Sequence, residues 1–193
     1  MKHAFLDLDD TVNGTRNILV HLMKTIHNYD APEDIYLTSD NTDGYLGEIL
    51  DSGEFMKHVN LNRGFPGLFG HLVRTNNLTI NICTHRGYHP KGEEYTHEFL
   101  NNLGILDFLD EIIILDPKKN PNKVEFIKSE LKLVDDEFII IDDKPNFFSN
   151  ESLCRNTILF DQFWNKDIIP FSKYHRISSL VEAIPVIDQF VKD

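Results

Sequence analysis

Five short apolar runs punctuate the chain: HAFLDL at 3–8, LTINIC at 78–83, EIIIL at 111–115, FIII at 138–141 and TILFD at 157–161. Each is rich in β-branched or aromatic residues and nearly continuous, as in strands covered on both faces of a parallel sheet. Helical spacing fills most of the intervals. KGEEYTHEFLNNLG precedes the third run and ends on Gly104, a residue type suited to a helix C-terminus. PNKVEFIKSELKL carries Pro121 near its start, where helices accept proline. SSLVEAIPVIDQFVK is amphipathic, and Pro185 should kink or divide it. Strands alternating with helices predict an α/β sandwich with right-handed crossovers.

One interval breaks this rhythm. Residues 12–77 between the first two strands far exceed one crossover helix. They hold TRNILVHLMKTIH, whose Ile18, Leu19, Leu22, Met23 and Ile26 form one apolar face, then the turn-rich TSDNTDGYLG, EFMKHV and GLFGHLVRT. Residues 14–64 therefore read as a helical insertion packed above the strand ends. Residues 1–13 and 65–193 read as the core, with the helix from Gly67 returning to it.

The polar residues fall where this layout is most informative. The first run ends in Asp7, Asp9 and Asp10, the second in Thr84 and the fourth in Asp142 and Asp143. In an open parallel sheet those strand ends share one edge, where ligands bind. Crowded carboxylates repel one another unless a cation or a reaction uses them. Without a companion His–Cys set they make a hard oxygen site suited to Mg²⁺, a usual partner of phosphate oxygens. A carboxylate can also attack phosphorus, a second can move protons, and a threonine and a lysine can steady the phosphoryl group.

Composition narrows the partners. A formal charge of −12 over 193 residues speaks against a broad grip on nucleic acid or anionic membrane, while permitting a small anionic substrate. The apolar stretches are too short to span a bilayer, and Asp7 interrupts any signal peptide, so the expectation is a cytoplasmic protein. Cys83 and Cys154 read as structural thiols.

These motifs resemble a known family. DLDDT at Asp7–Thr11 is similar to the DxDxT signature of the haloacid-dehalogenase (HAD) superfamily of phosphohydrolases; Thr84 and IIIDD match its second and fourth motifs, and the long interval sits where a C1-type cap would be. The resemblance implies a HAD-like Rossmannoid three-layer sandwich with a parallel sheet and a small helical cap. It implies Asp7 as nucleophile, Asp9 as general acid and base, and Mg²⁺ held by Asp7, the Asp9 carbonyl and Asp142 with Asp143 in support. Thr84 would hold the phosphoryl group with a lysine, Lys123 in preference to Lys119 of KNP.

A narrower resemblance, carried by GFPGLFGHL, NICT, IIDDKPN and ILFDQFWN, is to the 5'(3')-deoxyribonucleotidase branch (cytosolic type C nucleotidases). It implies a nucleoside monophosphate as substrate. His85 departs from the small hydroxyl residue of that branch, and Arg86–Gly87 is equally at home in polynucleotide 3'-phosphatases; His85 and Arg86 are thus candidate substrate contacts. Alternative readings are such a 3'-phosphatase, with Arg63, Arg74, Arg86 and PKKNPNK as its only basic track, and a non-catalytic HAD-like binding protein.

Other patterns read as structure. His85, His89 and His97 lack zinc spacing. NTDGYLGE lacks the terminal acids of a calcium loop and reads as a turn. Asp10 reads as a solvated turn residue. Tyr45, Phe55, Phe65 and Phe69 read as cap core before base-stacking groups, and Trp164 either seals the site or packs the last strand.

Overall fold

The computed structural model describes residues 1–32, 35–144, 157–166 and 175–193. Pro145 and Asn146 of the fourth motif, and Cys154, lie outside them. Six parallel strands form one sheet in the order β3-β2-β1-β4-β5-β6. They are β1 (Lys2–Leu6), β2 (Leu78–Thr84), β3 (Glu111–Ile114), β4 (Phe138–Asp142), β5 (Thr157–Phe160) and β6 (His175–Ile177). The five apolar runs supply the first five strands. The sixth, HRI, has a charged residue at its centre and lies at the sheet edge, where one flank needs no partner, so it shows no apolar run.

Side-chain alternation along the strands builds two core layers. Ala4, Leu6, Ile80, Ile82, Ile139 and Ile141 face one side, against α3 (Phe65–Arg74), α4 (Gly92–Asn102) and α6 (Ile184–Lys192). Phe5, Cys83, Phe138 and Ile140 face the other, against Val124 and Ile127 of α5 (Lys123–Glu130). Pro185 does divide the last segment: a 3₁₀ turn, Leu180–Ala183, gives way to α6 with Pro185 in its first turn. Pro121 stands ahead of α5, whose cap is Asn122.

Between β1 and β2 lie α1 (Thr15–His27), α2 (Tyr45–Ser52) and a 3₁₀ turn, Glu54–Lys57. They share their own apolar cluster, with Ile18, Leu19, Met23, Leu46, Ile49, Phe55 and Met56 meeting Tyr95 of α4. The segments leading in and out run side by side: the Gly14 amide donates to the Asn60 carbonyl at 2.7 Å and the Asn62 amide to the Val12 carbonyl at 2.9 Å. Ile26, expected on the apolar face of α1, is 61% exposed, because the buried stripe stops at Met23. Phe65 and Phe69 belong to the core under α3 and not to this cluster; Tyr45 stacks on His27 within it. NTDGYLGE is a turn running into α2. Among the described residues no helix is long and apolar enough to cross a membrane.

Candidate active site

Strand register delivers the floor of the site. Leu6, at the end of β1, pairs with Ile82 of β2 on one side and Ile141 of β4 on the other. The next residue, Asp7, donates its amide to the Ile141 carbonyl at 3.0 Å and so emerges beside Asp142, while β2 ends across from it in Thr84. This gap between β1 and β4 is also where the strand order reverses. Lys123 enters from the start of α5, which begins there because the Asn122 side chain accepts the Glu125 amide at 3.1 Å. The Lys123 amine lies 2.6 Å from Asp7 Oδ1 and 2.8 Å from Asp142 Oδ2, and all three side chains are buried. Lys119, the alternative, is exposed and sits 3.8 Å from Asp116.

Asp143 is held from both sides. Its amide donates to Thr11 Oγ1 at 3.0 Å, its Oδ1 lies 3.2 Å from the same hydroxyl, and its Oδ2 accepts from the Trp164 indole at 3.0 Å. Trp164 thus seals one edge of the site by holding a site carboxylate. Oxygen atoms of Asp7, Asp142 and Asp143 fall within 4.8 Å of one another. Burial pushes Asp7 up to about 7, with Asp142 and Asp9 adding to the rise against the pull of Lys123. Burial, then Asp142 and Asp7, hold Asp143 well above the usual carboxylate range. Burial opposes the charge on Lys123, but Asp142 and Asp7 outweigh it and raise the amine. Three crowded carboxylates against one ammonium, all hard oxygen donors, fit a cation of the Mg²⁺ class. Thr84 Oγ1 is buried with no hydrogen-bond partner, an orphan that an incoming acceptor would satisfy.

Asp9 takes no part in that carboxylate cluster. Arg86 grips it with both arms, Nε to Oδ2 at 2.9 Å and the terminal nitrogen to Oδ1 at 2.7 Å, and Thr15 donates to Oδ1 at 2.7 Å. Burial opposes ionisation of Asp9, but Arg86 outweighs it and draws the carboxyl below its usual range. Any contribution of Asp9 to a metal therefore rests with its main-chain carbonyl. Arg86 also donates to the Met56 carbonyl at 2.9 Å and lies over the Phe99 ring, wholly buried. Arg86, a candidate substrate contact, stands behind Asp9, outside the cavity lining. Gly92 lets the start of α4 pass close to the Arg86 backbone, since a Cβ there would fall 2.0 Å from the Arg86 carbonyl oxygen.

Asp10, read as a turn residue, lies in the turn after β1, half-buried and outside the carboxylate cluster. At φ 61° its side chain turns back to accept the Arg16 amide in the first turn of α1 at 2.7 Å, and burial pushes it up to about 7. His85 does line the cavity. Its Nε2 lies 2.8 Å from the Asn120 carbonyl, which can only accept, so the ring proton sits on Nε2. Burial, with Lys123, pulls His85 down to about 4, so it is neutral near pH 7. His89 instead contacts the Asp51 carbonyl and His97 is exposed, so the three histidines serve separate places.

Floor and walls enclose a cavity of about 600 Å³. Its walls include Leu19 and Phe55 from the segment between β1 and β2 and, missed in the sequence, Tyr36, Tyr88 and Lys144. Tyr36 meets Trp164 edge to face at 5.9 Å. Neither tyrosine stands in a periodic segment or motif, so no pattern marked them.

No family model matches the sequence, and no curated protein matches it. Solved structures do. A HAD-superfamily hydrolase of subfamily IA from Geobacter sulfurreducens superposes with a TM-score of 0.63 at 12% identity, covering 98% of this chain and 96% of that one. The fold is that of the HAD-superfamily hydrolases. A HAD-hydrolase of Bacillus subtilis solved with magnesium gives 0.62 at 14% identity, covering 97% of this chain and 98% of that one. The L-2-haloacid dehalogenase of Xanthobacter autotrophicus gives 0.61 at 11%, covering 98% and 99%. At such identities the likeness is one of fold, and fold alone does not assign chemistry.

Proposed function

We propose that this chain is a Mg²⁺-dependent phosphomonoesterase working through a phosphoenzyme on Asp7, with a nucleoside monophosphate as substrate and residues 14–64 as its cap. One observation carries the reading: the buried Asp7–Lys123–Asp142 contact, with Asp143 beside it and the orphan hydroxyl of Thr84 in the same cavity. Dehalogenases share the fold, but crowded carboxylates that call for a cation favour phosphoryl chemistry.

Asp9, protonated from solvent once substrate is bound, gives that proton to the leaving oxygen as Asp7 Oδ attacks phosphorus and the ester P–O bond breaks. Asp9 then takes a proton from the water that attacks the phosphoenzyme, releasing phosphate and restoring Asp7. Thr84 donates to a phosphoryl oxygen, and Lys123 offsets the charge gathering there. Mg²⁺ held by Asp7 and Asp142, with Asp143 in support, would neutralise the phosphoryl oxygens. Arg86 and Thr15 aim Asp9 and favour its ionised form, the form needed against water; one of their bonds must yield when Asp9 serves the leaving oxygen.

The aromatic walls support a nucleotide over a small aliphatic ester. The polynucleotide rival loses Arg86 to the interior, and Arg63 and Arg74 are exposed at the ends of α3, outside the cavity lining. The test is phosphate release with Mg²⁺ from 5'- and 3'-nucleoside monophosphates and a 3'-phosphorylated oligonucleotide, beside Asp7→Asn. Release from free nucleotides, lost in the variant, supports the reading; preference for the oligonucleotide, or activity that survives Asp7→Asn, overturns it.

A further inference from the structure

We propose that Lys144 forms a second anion subsite in the cavity, so that the preferred substrate is a phosphomonoester bearing another phosphate group, here a nucleoside bisphosphate. The inference rests on the phosphomonoesterase reading and specifies its substrate.

Lys144 follows directly on Asp142 and Asp143. Its amide is anchored by a 2.8 Å hydrogen bond to Asp142 Oδ1, and its half-buried side chain lines the cavity. Four carboxylates line the same space: Asp7, Asp9, Asp10 and Asp143. Each is already engaged: Asp7 by Lys123, Asp9 by Arg86 and Thr15, Asp10 by the α1 amide, and Asp143 by Thr11 and Trp164. Among the described residues Lys144 makes an ion pair with none of them. A lysine that leaves four nearby acids to other partners, in a chain of 31 acidic and 19 basic residues, is a cation held for the contents of the cavity.

The other cation in the lining, Lys123, is 2% exposed and spent on the floor. The two lysines thus divide the work, Lys123 serving the phosphoryl group on Asp7 and Lys144 a second negative charge nearby. His85, which senses the charge of Lys144, is neutral and does not compete for that anion. A compact ammonium on a flexible stem suits a phosphate group whose exact placement varies with the sugar. A neutral sugar edge would leave that charge without a partner.

The decisive experiment is binding to Asp7→Asn protein with Mg²⁺, using thymidine 3',5'-bisphosphate and thymidine 5'-monophosphate as probes. Fluorescence of Trp164, the sole tryptophan, and calorimetry provide the readouts. The bisphosphate should bind about tenfold more tightly or better, Lys144→Met should erase the difference, and Lys144→Arg should keep it. With the nucleophile present, the ratio of kcat/KM for the two esters should fall about tenfold in Lys144→Met. Equal affinities, or equal weakening of both probes by Lys144→Met, would overturn the subsite. A 3'-phosphorylated dinucleotide binding more tightly than the bisphosphate would overturn its assignment to a small nucleotide. Absence of phosphate release from every ester would instead sink the phosphomonoesterase reading, while the binding difference would still judge Lys144.

Discussion

The floor of the cavity and its walls are made by different means. The floor side chains are fixed by neighbouring parallel strands and the start of α5, and they are buried with Lys123 bridging Asp7 and Asp142. The walls are largely loop and insertion residues; Tyr36 is 60% exposed and Tyr88 40%. Charge is locked where the backbone is most constrained, while the wall tyrosines stand where little packing is at stake. Substitutions in the floor should therefore cost fold and chemistry together, and those at the exposed wall tyrosines, Tyr36 and Tyr88, selectivity with little loss of fold.

Lys123→Met should produce the largest effect. It leaves Asp7 and Asp142 buried without their counter-charge, a loss of about 3–5 kcal/mol. That corresponds to a fall in Tm of roughly 10 °C for a chain of this size, with phosphate release abolished. A Tm within a degree of the parent would show that the floor is not held by this ion pair. Arg86→Met should come next, at about 2–3 kcal/mol, because Asp9 keeps Thr15. Combined with Asp9→Asn, its cost should be clearly less than additive in denaturant titrations; strict additivity would separate the two residues.

Metal and pH sharpen the contrast further. Asp7 and Asp10 titrate near 7 in the folded chain against an ordinary value of 3.8, so folding takes up protons in that window. Metal-free stability should then fall as pH rises from about 4 to 7. His85, drawn down to about 4 from 6.5, acts in the opposite sense, while Asp143, also raised, acts with the other two carboxyls. In chelator, Tm should be lower near pH 7.5 than near pH 5.5, and Mg²⁺ should raise it more at the higher pH. A metal-free Tm that climbs with pH would contradict the crowding of the floor. Smallest of all, Tyr36→Ala should change stability by about 1 kcal/mol or less, while KM for a nucleotide rises by less than about tenfold.

The same contrast explains what the sequence made legible. Asp7, Thr84, Asp142 and Asp143 could be picked out because each ends or follows an apolar run, and strand ends of a parallel sheet converge whatever the loops do. Lys123 was readable from its place at a helix start. The inward turn of Arg86 was not legible, because it depends on the carboxylate of Asp9 meeting it across the fold. The bond from the Arg16 amide to Asp10 was likewise invisible, since it depends on a left-handed backbone that no local pattern announces. Tyr36 and Tyr88 reach the cavity only through the tertiary fold, so they carried no signal, and Lys144, though beside the fourth motif, had nothing in the sequence to show that it faces the cavity.

The central claim is that Asp7 is the nucleophile. Its most direct test is to mix the protein with Mg²⁺ and a nucleotide substrate, quench in acid within the first turnover, and map the phosphorylated peptide by mass spectrometry. The account predicts phosphate on the peptide containing Asp7, absent from Asp7→Asn and cleared on further incubation. Phosphate on another residue, or turnover in which water attacks the substrate with no covalent intermediate, would contradict it.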